Sequence, residues 1–519
     1  MLRFGVLLAI VAIVPLASVD RGLAKKGLPT GNENTNVIVQ NVGTGPATIV
    51  MDVYTPGGVL IPGASQVFTN VPVGGSVTFV QALNTGLAPK FRGVGSVSAS
   101  QPINAIIVRD ILSSASFAAK SYSIANGQSA GASKLALPIA FNELLTADWN
   151  SRITVVATGS AIACVKFTYF ITTAGSAGGT VVDNPSGQPN CTNGYAVKPG
   201  GQLTVTNEPA SIDGGINFPP GTSNHQLAVL VEVTNPGSNV AIAANVDIFR
   251  SDGNRLLGSY NGLRYVDAAS TGDDVGTEIV VPLAIKSTSG FYSVIGVMNL
   301  GGSAANVNIE YIGNLADGNG AAQTRTVTLN NVTNAAFHST YDGGTNVDLG
   351  FVGYARITSS QPIAAIVIRG KQTAAFSGVN EAIYTAVNAV PTDQAATQWY
   401  LPLVFRRFAP GAAPSFGWNS WIQVQVADGS SANVQIQMVP DPAAGCPGGP
   451  FPVSNHVVNG SNVFYMNLEN AAGVFGGAPP SCFWGAATVT ADKPVIVIGQ
   501  VGADKFPGSD SEGLYNAFK

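Results

Sequence analysis

A chain of 519 residues is longer than one ordinary core needs, so length alone sets an expectation of about three to five domains. Only 10% of residues are charged, Gly (61) and Pro (31) are abundant, and the apolar 45% is dominated by Val, Ala and Ile, which argues against a helical protein and for strands joined by turns. A net charge of −4, with no cluster of Lys and Arg, gives no reason to expect a nucleic-acid partner.

In chain order, the first feature is MLRFGVLLAIVAIVPLASVD, in which Arg3 precedes an apolar run from Phe4 to about Ala17. That run is short for a bilayer span of about 20 residues, and small residues follow it. Residues 1–24 therefore read as a signal peptide, with cuts possible after Ala17, Ser18 or Ala24, and an uncleaved anchor as the alternative. No cysteine follows the run and no second apolar stretch lies near Lys519, so no stable transmembrane span is expected after processing. The expected location is secreted, extracellular or at the cell surface.

From residue 28 onward the chain repeats itself, and repeats decide the architecture. The phrases LPTGN, LPIAF, VPLAI and LPLVF place prolines at 29, 138, 282 and 402. Each is followed by strand, Gly/Ser turn and strand with period-2 alternation, opening at Asn34, Asn150, Tyr292 and Asn419. Three units then end on a shared phrase: FRGVGSVSASQPINAIIVRD (91–110), FVGYARITSSQPIAAIVIRG (351–370) and FWGAATVTADKPVIVIGQVG (483–502). Its first half alternates and its second half is continuously apolar, with Pro102, Pro362 and Pro494 between them, so it reads as a closing β-hairpin. In the second unit LAVLVEVTNPGSNVAIAANVDIF (227–249) takes that place. Repeats of this length suit one sandwich each, giving β-sandwiches at 28–125, 136–263, 280–388 and 399–519.

The four cysteines fall in two of the units, Cys164 with Cys191 in the second and Cys446 with Cys482 in the fourth, and in an exported chain they are candidates for two local disulfides. The absence of CxxC or HxxxH spacing leaves metal ligation without support. Each unit is followed by a connector with its own tyrosine: Tyr122, Tyr260, Tyr384 and Tyr515 lie 20, 24, 22 and 21 residues beyond prolines 102, 236, 362 and 494. A floppy tether needs no such regularity, so the tyrosines are expected to anchor the connectors onto sandwiches. The last segment, YNAFK with Tyr515 and Phe518, has no unit after it. Either it seals its own sandwich, or it docks on the first sandwich of another molecule, an open-ended contact that builds fibres.

Catalytic signals are weak. GQSAG (127–131) matches a nucleophile pattern, but Ser129 lies in a Gly/Ala/Ser connector with no strong strand before it. His225, His338 and His456 fall in different repeats without a neighbouring acid or thiol, as surface or turn histidines do. The acidic GDDVGTE (272–278) reads as a solvated loop. SDGN (251–254), ADGNG (316–320) and YDGG (341–344) offer oxygen donors suited to calcium, yet Asp-Gly and Asn-Gly are also common turn sequences. Trp149 and Trp418, sharing the phrase WNS, read either as packing at a domain end or as a sugar platform.

The LPL, WNS, FxGxAxVxSxQPIxAIV and YNG phrases together resemble bacterial secreted proteins built of tandem immunoglobulin-like sandwiches. The resemblance runs from Leu28 to Lys519 and implies no catalytic residue. The expectation is thus an all-β chain of four tandem immunoglobulin-like antiparallel β-sandwich domains joined in a row by short Tyr-anchored connectors. It would serve, without cofactor or enzymatic activity, as a surface-layer, sheath or fibre subunit. Its expected partners are copies of itself or neighbouring surface proteins; the alternative is an adhesin or carbohydrate-binding protein gripping surface polysaccharide.

Overall fold

The structure, a computed structural model, describes residues 32–519 apart from 114–115, 145–148, 173–177, 208–214, 251–255, 266–273, 287–289, 314–323, 341–346, 372–382, 409–416, 442–444, 447–448, 467–472 and 504–511. The expected signal peptide lies outside the described residues. The chain is all-β and its ladders are antiparallel throughout the named strands.

The first unit shows the plan. Strands β1 (Asn32–Asn41), β2 (Ala47–Tyr54), β3 (Gln66–Val71), β4 (Ser76–Val80), β5 (Val94–Ala99), β6 (Ile103–Ser113) and β7 (Ser116–Asn126) form two sheets. The inner sheet runs β4-β1-β6-β7 and the outer β3-β2-β5. Alternating residues of the two sheets meet in a core containing Val39, Ile49, Met51 and Phe79, as expected for strands with one dry face.

One expectation is corrected here. The two halves of the SQPI phrase do not pair with each other: β5 pairs with β2 in the outer sheet, β6 with β1 and β7 in the inner one. In the third and fourth units the equivalent segments are single 21-residue strands, Phe351–Lys371 and Phe483–Ala503, that pass through both sheets. Thr358 pairs with Asn308, while Ile366, eight residues on, pairs with Gly296 on the other side. The phrase is a corner where the strand changes sheets, and the second unit does the same between His225–Val233 and Ile242–Arg250.

The repeated letters pin this corner down. Backbone N–H groups of the adjacent strand donate to it: Thr48 to Ser100 Oγ (2.9 Å), Asn306 to Ser360 Oγ (3.0 Å) and Asn433 to Asp492 Oδ1 (2.8 Å). Gln101 and Gln361 cover Gly43 and Gly301, where a Cβ would sit 2.5 Å and 2.2 Å from the glutamine oxygen. The serine that follows Asn150, Tyr292 or Asn419 works likewise, accepting from Phe141 N (2.8 Å), Ile285 N (3.0 Å) and Phe405 N (3.0 Å) through Ser151, Ser293 and Ser420. Those donors lie on the proline-bearing strands Lys134–Asn142, Gly276–Lys286 and Ala396–Arg406, which roof the sandwiches by pairing with the first half of each corner.

The units do not stand in a row. Apolar clusters join the second unit to the third, the third to the fourth, and the fourth back to the first, where Ile106, Val108, Tyr122 and Ile124 pack among Trp399, Leu403 and Val424. A small cluster of Ile111, Phe249 and Leu257 joins the first to the second. The four repeats close a ring.

Candidate functional site: the central hub

Four short strands line the middle of the ring: β7, Leu257–Asn261, Tyr384–Asn388 and Glu512–Asn516. Each is the last strand of its unit's inner sheet, paired with the second half of the corner. Each also meets its counterparts in the units on either side.

An asparagine circuit holds them. Asn126 Nδ2 donates to Asn516 O (2.7 Å), Asn516 Nδ2 to Asn388 O (2.9 Å), Asn388 Nδ2 to Asn261 O (3.1 Å), and Asn261 Nδ2 to Asn126 O (2.7 Å). Asn261 also accepts from Asn126 N through Oδ1 (3.0 Å). An edge strand leaves carbonyls without partners, and here each is met by a side-chain amide from the next unit. Asn126, Asn388 and Asn516 stand opposite Ile106, Ile366 and Ile498, in each case four residues past the corner proline.

The tyrosine anchors are all buried, and burial pushes all four phenols above their ordinary range, so they stay neutral. They do not share one position, however. Tyr122 and Tyr384 stand opposite Asp110 and Gly370, eight residues past the proline, and Tyr515 stands opposite Gly499, five past it. Tyr260 and Tyr515 point into their own units, donating to Ile139 O and Leu403 O (both 2.5 Å). Tyr122 and Tyr384 instead pack across a seam in tilted ring pairs, against Trp418 (4.7 Å between centroids) and Trp149 (4.6 Å). Trp149 and Trp418 are therefore packing groups against the connectors.

The other two seams are ionic. Arg109 Nη1 meets Asp247 Oδ2 at 2.6 Å and Arg369 Nη1 meets Glu512 Oε2, each arginine seven residues past its proline. Where the second and fourth units have tryptophan, the first and third have Glu33, 3.3 Å from Arg109, and Phe291, over which Arg369 stacks at 4.2 Å.

The C-terminal segment is used inside the chain. Phe518 exchanges backbone hydrogen bonds with Tyr400 of its own unit (2.7 and 2.9 Å), and Gly513 lies against Ile124 and Tyr122 of the first, where a Cβ would come within 2.5 Å of Ile124. Of the two placements expected for YNAFK, the segment takes the one on its own unit, and through Asn516 it also meets the first unit of the same chain.

Both expected disulfides are present, Cys164–Cys191 and Cys446–Cys482. Ser129 is exposed, and no hydrogen bond among the described residues joins it to a histidine or carboxylate. The histidines lie on strands, half-buried, rather than in turns: His338 bonds Tyr311 (2.6 Å), His456 bonds Ser454 (2.9 Å), and burial lowers the pKa of His456. Of the acidic stretch, Asp274 pairs with Arg264 (3.0 Å) and Glu278 with Arg356 (2.5 Å). The three calcium-like loops lie outside the described residues, among which no group of three or more His, Cys, Asp or Glu is placed to hold a metal. Among the described residues no helix is long and apolar enough to cross a membrane. No family model matches the chain, and no curated protein matches it.

Proposed function

We propose that this chain is an exported, non-enzymatic structural protein of the cell surface or extracellular matrix, acting as a rigid block of four immunoglobulin-like sandwiches. The observation that carries the reading is the hub, where connectors that could have been tethers are locked by the asparagine circuit and by buried aromatic and ionic seams. Two disulfides suit an oxidising compartment. With the C-terminal segment occupied, association with copies or with neighbouring surface proteins falls to the outer sheets.

A second reading, as an adhesin for surface polysaccharide, is favoured by one shallow recess on the fourth unit lined by Asn433, Gln435, Asn455, His456, Thr490 and Asp492. Amides and hydroxyls of this kind bind sugar hydroxyls. Here, however, Asn433 is already bonded to Asp492 (2.6 Å) and Gln435 to Asn455 (2.9 Å). The test is to export the chain from a secretory host and follow it by light scattering, negative-stain microscopy and polysaccharide-column retention. Ordered assemblies without retention support the structural reading; a retained monomer overturns it in favour of the second.

A further inference from the structure

The asparagine circuit is built from two kinds of dipeptide. Asn388 and Asn516 precede alanine, whereas Asn126 and Asn261 precede glycine. The glycines answer to packing: a Cβ at 127 would sit 2.9 Å from Ala105 O, and one at 262 would sit 3.1 Å from both Ala244 Cβ and Leu137 Cδ2. They also open the asparagines to a reaction that alanine hinders. Asparagine is thermolabile because the backbone nitrogen of the next residue attacks its side-chain carbonyl carbon, and a glycine nitrogen is the least shielded and most mobile. A new N–Cγ bond closes a succinimide ring as the Cγ–Nδ2 bond breaks, and the amide leaves as ammonia with the proton of the attacking nitrogen. Water then opens the ring at either carbonyl, giving aspartate or isoaspartate. One water is taken up and one ammonia released, with no oxidant or reductant.

The closed ring of units restrains this chemistry at both ends. Gly127 N–H donates to Ala105 O (2.7 Å) and Gly262 N–H to Ala244 O (2.8 Å), as Ala389 N–H and Ala517 N–H donate to Ala365 O (3.1 Å) and Val497 O (3.0 Å). The leaving nitrogens are engaged by another unit: Asn126 Nδ2 donates to Asn516 O and Asn261 Nδ2 to Asn126 O (both 2.7 Å). A side chain held out to a neighbour is kept from folding back on its own backbone. The two positions differ in what holds that neighbour. Asn261 reaches a unit joined to its own by the chain, whereas Asn126 reaches across the seam between units four and one, which no connector spans.

We infer that Asn126 is a latent deamidation site kept intact by ring closure, and that its conversion makes opening of the seam between units four and one irreversible. The product is wrong for the circuit in two ways. A carboxylate has no N–H to give Asn516 O and sets a negative charge against that carbonyl. Isoaspartate also adds a methylene to the main chain where Asn261 holds both Asn126 N (3.0 Å) and Asn126 O (2.7 Å). A molecule that opens and reacts does not reclose.

Intact protein, the Trp418→Ala variant and the reduced, urea-unfolded chain are incubated at mildly alkaline pH, and conversion at each Asn-Gly is followed by peptide mapping. In the intact ring Asn126 and Asn261 are both expected to convert about tenfold more slowly than in the unfolded chain. Trp418→Ala is expected to return most of that factor to Asn126 and none to Asn261. Should it fail to fold, Trp418→Phe, which weakens the contact with Tyr122 and keeps an apolar ring, takes its place. Asn126→Asp, made directly, is expected to enlarge the radius of gyration in X-ray scattering. Conversion of Asn126 in the intact ring at the unfolded rate overturns the inference. So does a Trp418 variant that leaves Asn126 protected or releases Asn261 equally, and so does an Asn126→Asp protein with the parent radius.

Discussion

The seams of the ring come in two kinds that alternate. Between units one and two, and three and four, an arginine crosses to a carboxylate; between two and three, and four and one, a tyrosine packs against a tryptophan. Other features share the alternation. The disulfides sit in units two and four, while Asn41 and Asn299, which brace the first turn by accepting from Gly43 N (3.0 Å) and Gly301 N (2.9 Å), sit in units one and three. The repeating element is thus a pair of unlike units present twice. An aromatic seam is apolar and non-directional. An ionic seam is worth little beyond the cost of dehydrating its charges, but it penalises a wrong partner heavily. Alternating them lets each unit recognise a different neighbour on each side, so four similar sandwiches close in one order.

The sharpest way to break this comparison is at the aromatic seams. Trp418→Ala and Trp149→Ala each remove a large, mostly buried ring, and each is expected to destabilise by about 3–5 kcal/mol in denaturant unfolding. They should differ in shape. Units two and three stay linked by the chain, whereas units four and one are joined by no connector. Trp418→Ala is therefore expected to enlarge the radius of gyration in X-ray scattering and Trp149→Ala to leave it unchanged. Equal radii would show that the fourth seam is not the weak one.

Next in size come the ionic seams. Asp247 has a side chain only 1% exposed and also accepts from Ser259 Oγ (2.7 Å), so Arg109→Ala leaves a buried charge and is expected to cost about 3 kcal/mol. Arg109→Met combined with Asp247→Leu should recover most of that stability, since an apolar pair of similar volume fills the seam without dehydrated charge. A double mutant as unstable as the single one would count against the specificity role. Smaller again is the asparagine circuit, where Asn516→Ala removes one donor and leaves Asn388 O unpaired, for about 1–2 kcal/mol by the same unfolding assay.

Much of the architecture was legible in the sequence because period-2 alternation and recurrent Gly/Pro turns report strand positions directly. The all-β class and both disulfide pairs could be read that way. The SQPI corner was legible as a place but not as a shape. Alternation says which face of a strand is dry, and it reads the same whether two strands pair with each other or part into different sheets. The hub was legible only through its tyrosines, which misled by the three-residue shift between Tyr122 or Tyr384 and Tyr515. The residues in register are the asparagines, and the bond that closes the circuit joins Asn126 to Asn516 across 390 residues of sequence. No local pattern encodes a contact of that span.

The least effect, and the most specific, belongs to Asp110, which faces the anchor Tyr122 where the third unit has Gly370. Burial raises its pKa to about 6, against a smaller opposing effect of its hydrogen bond with Asn34, and its buried Oδ1 lacks a hydrogen-bond partner. In the unfolded chain the carboxyl ionises near its ordinary value of about 3.9. Between the two values the folded state holds the extra proton, so stability is fully present below about pH 4, falls as pH rises and is lost once pH passes about 6. Asp110→Asn keeps the shape and has nothing to ionise. It is therefore expected to stabilise the protein at pH 7 by about 1 kcal/mol, a figure reduced for the group's partial exposure, and to flatten the pH dependence of the unfolding midpoint between 4 and 6. A slope that survives the substitution would assign the titration to another group and leave Asp110 a hydrogen-bonded carboxylate at the ring's only seam without a covalent connector.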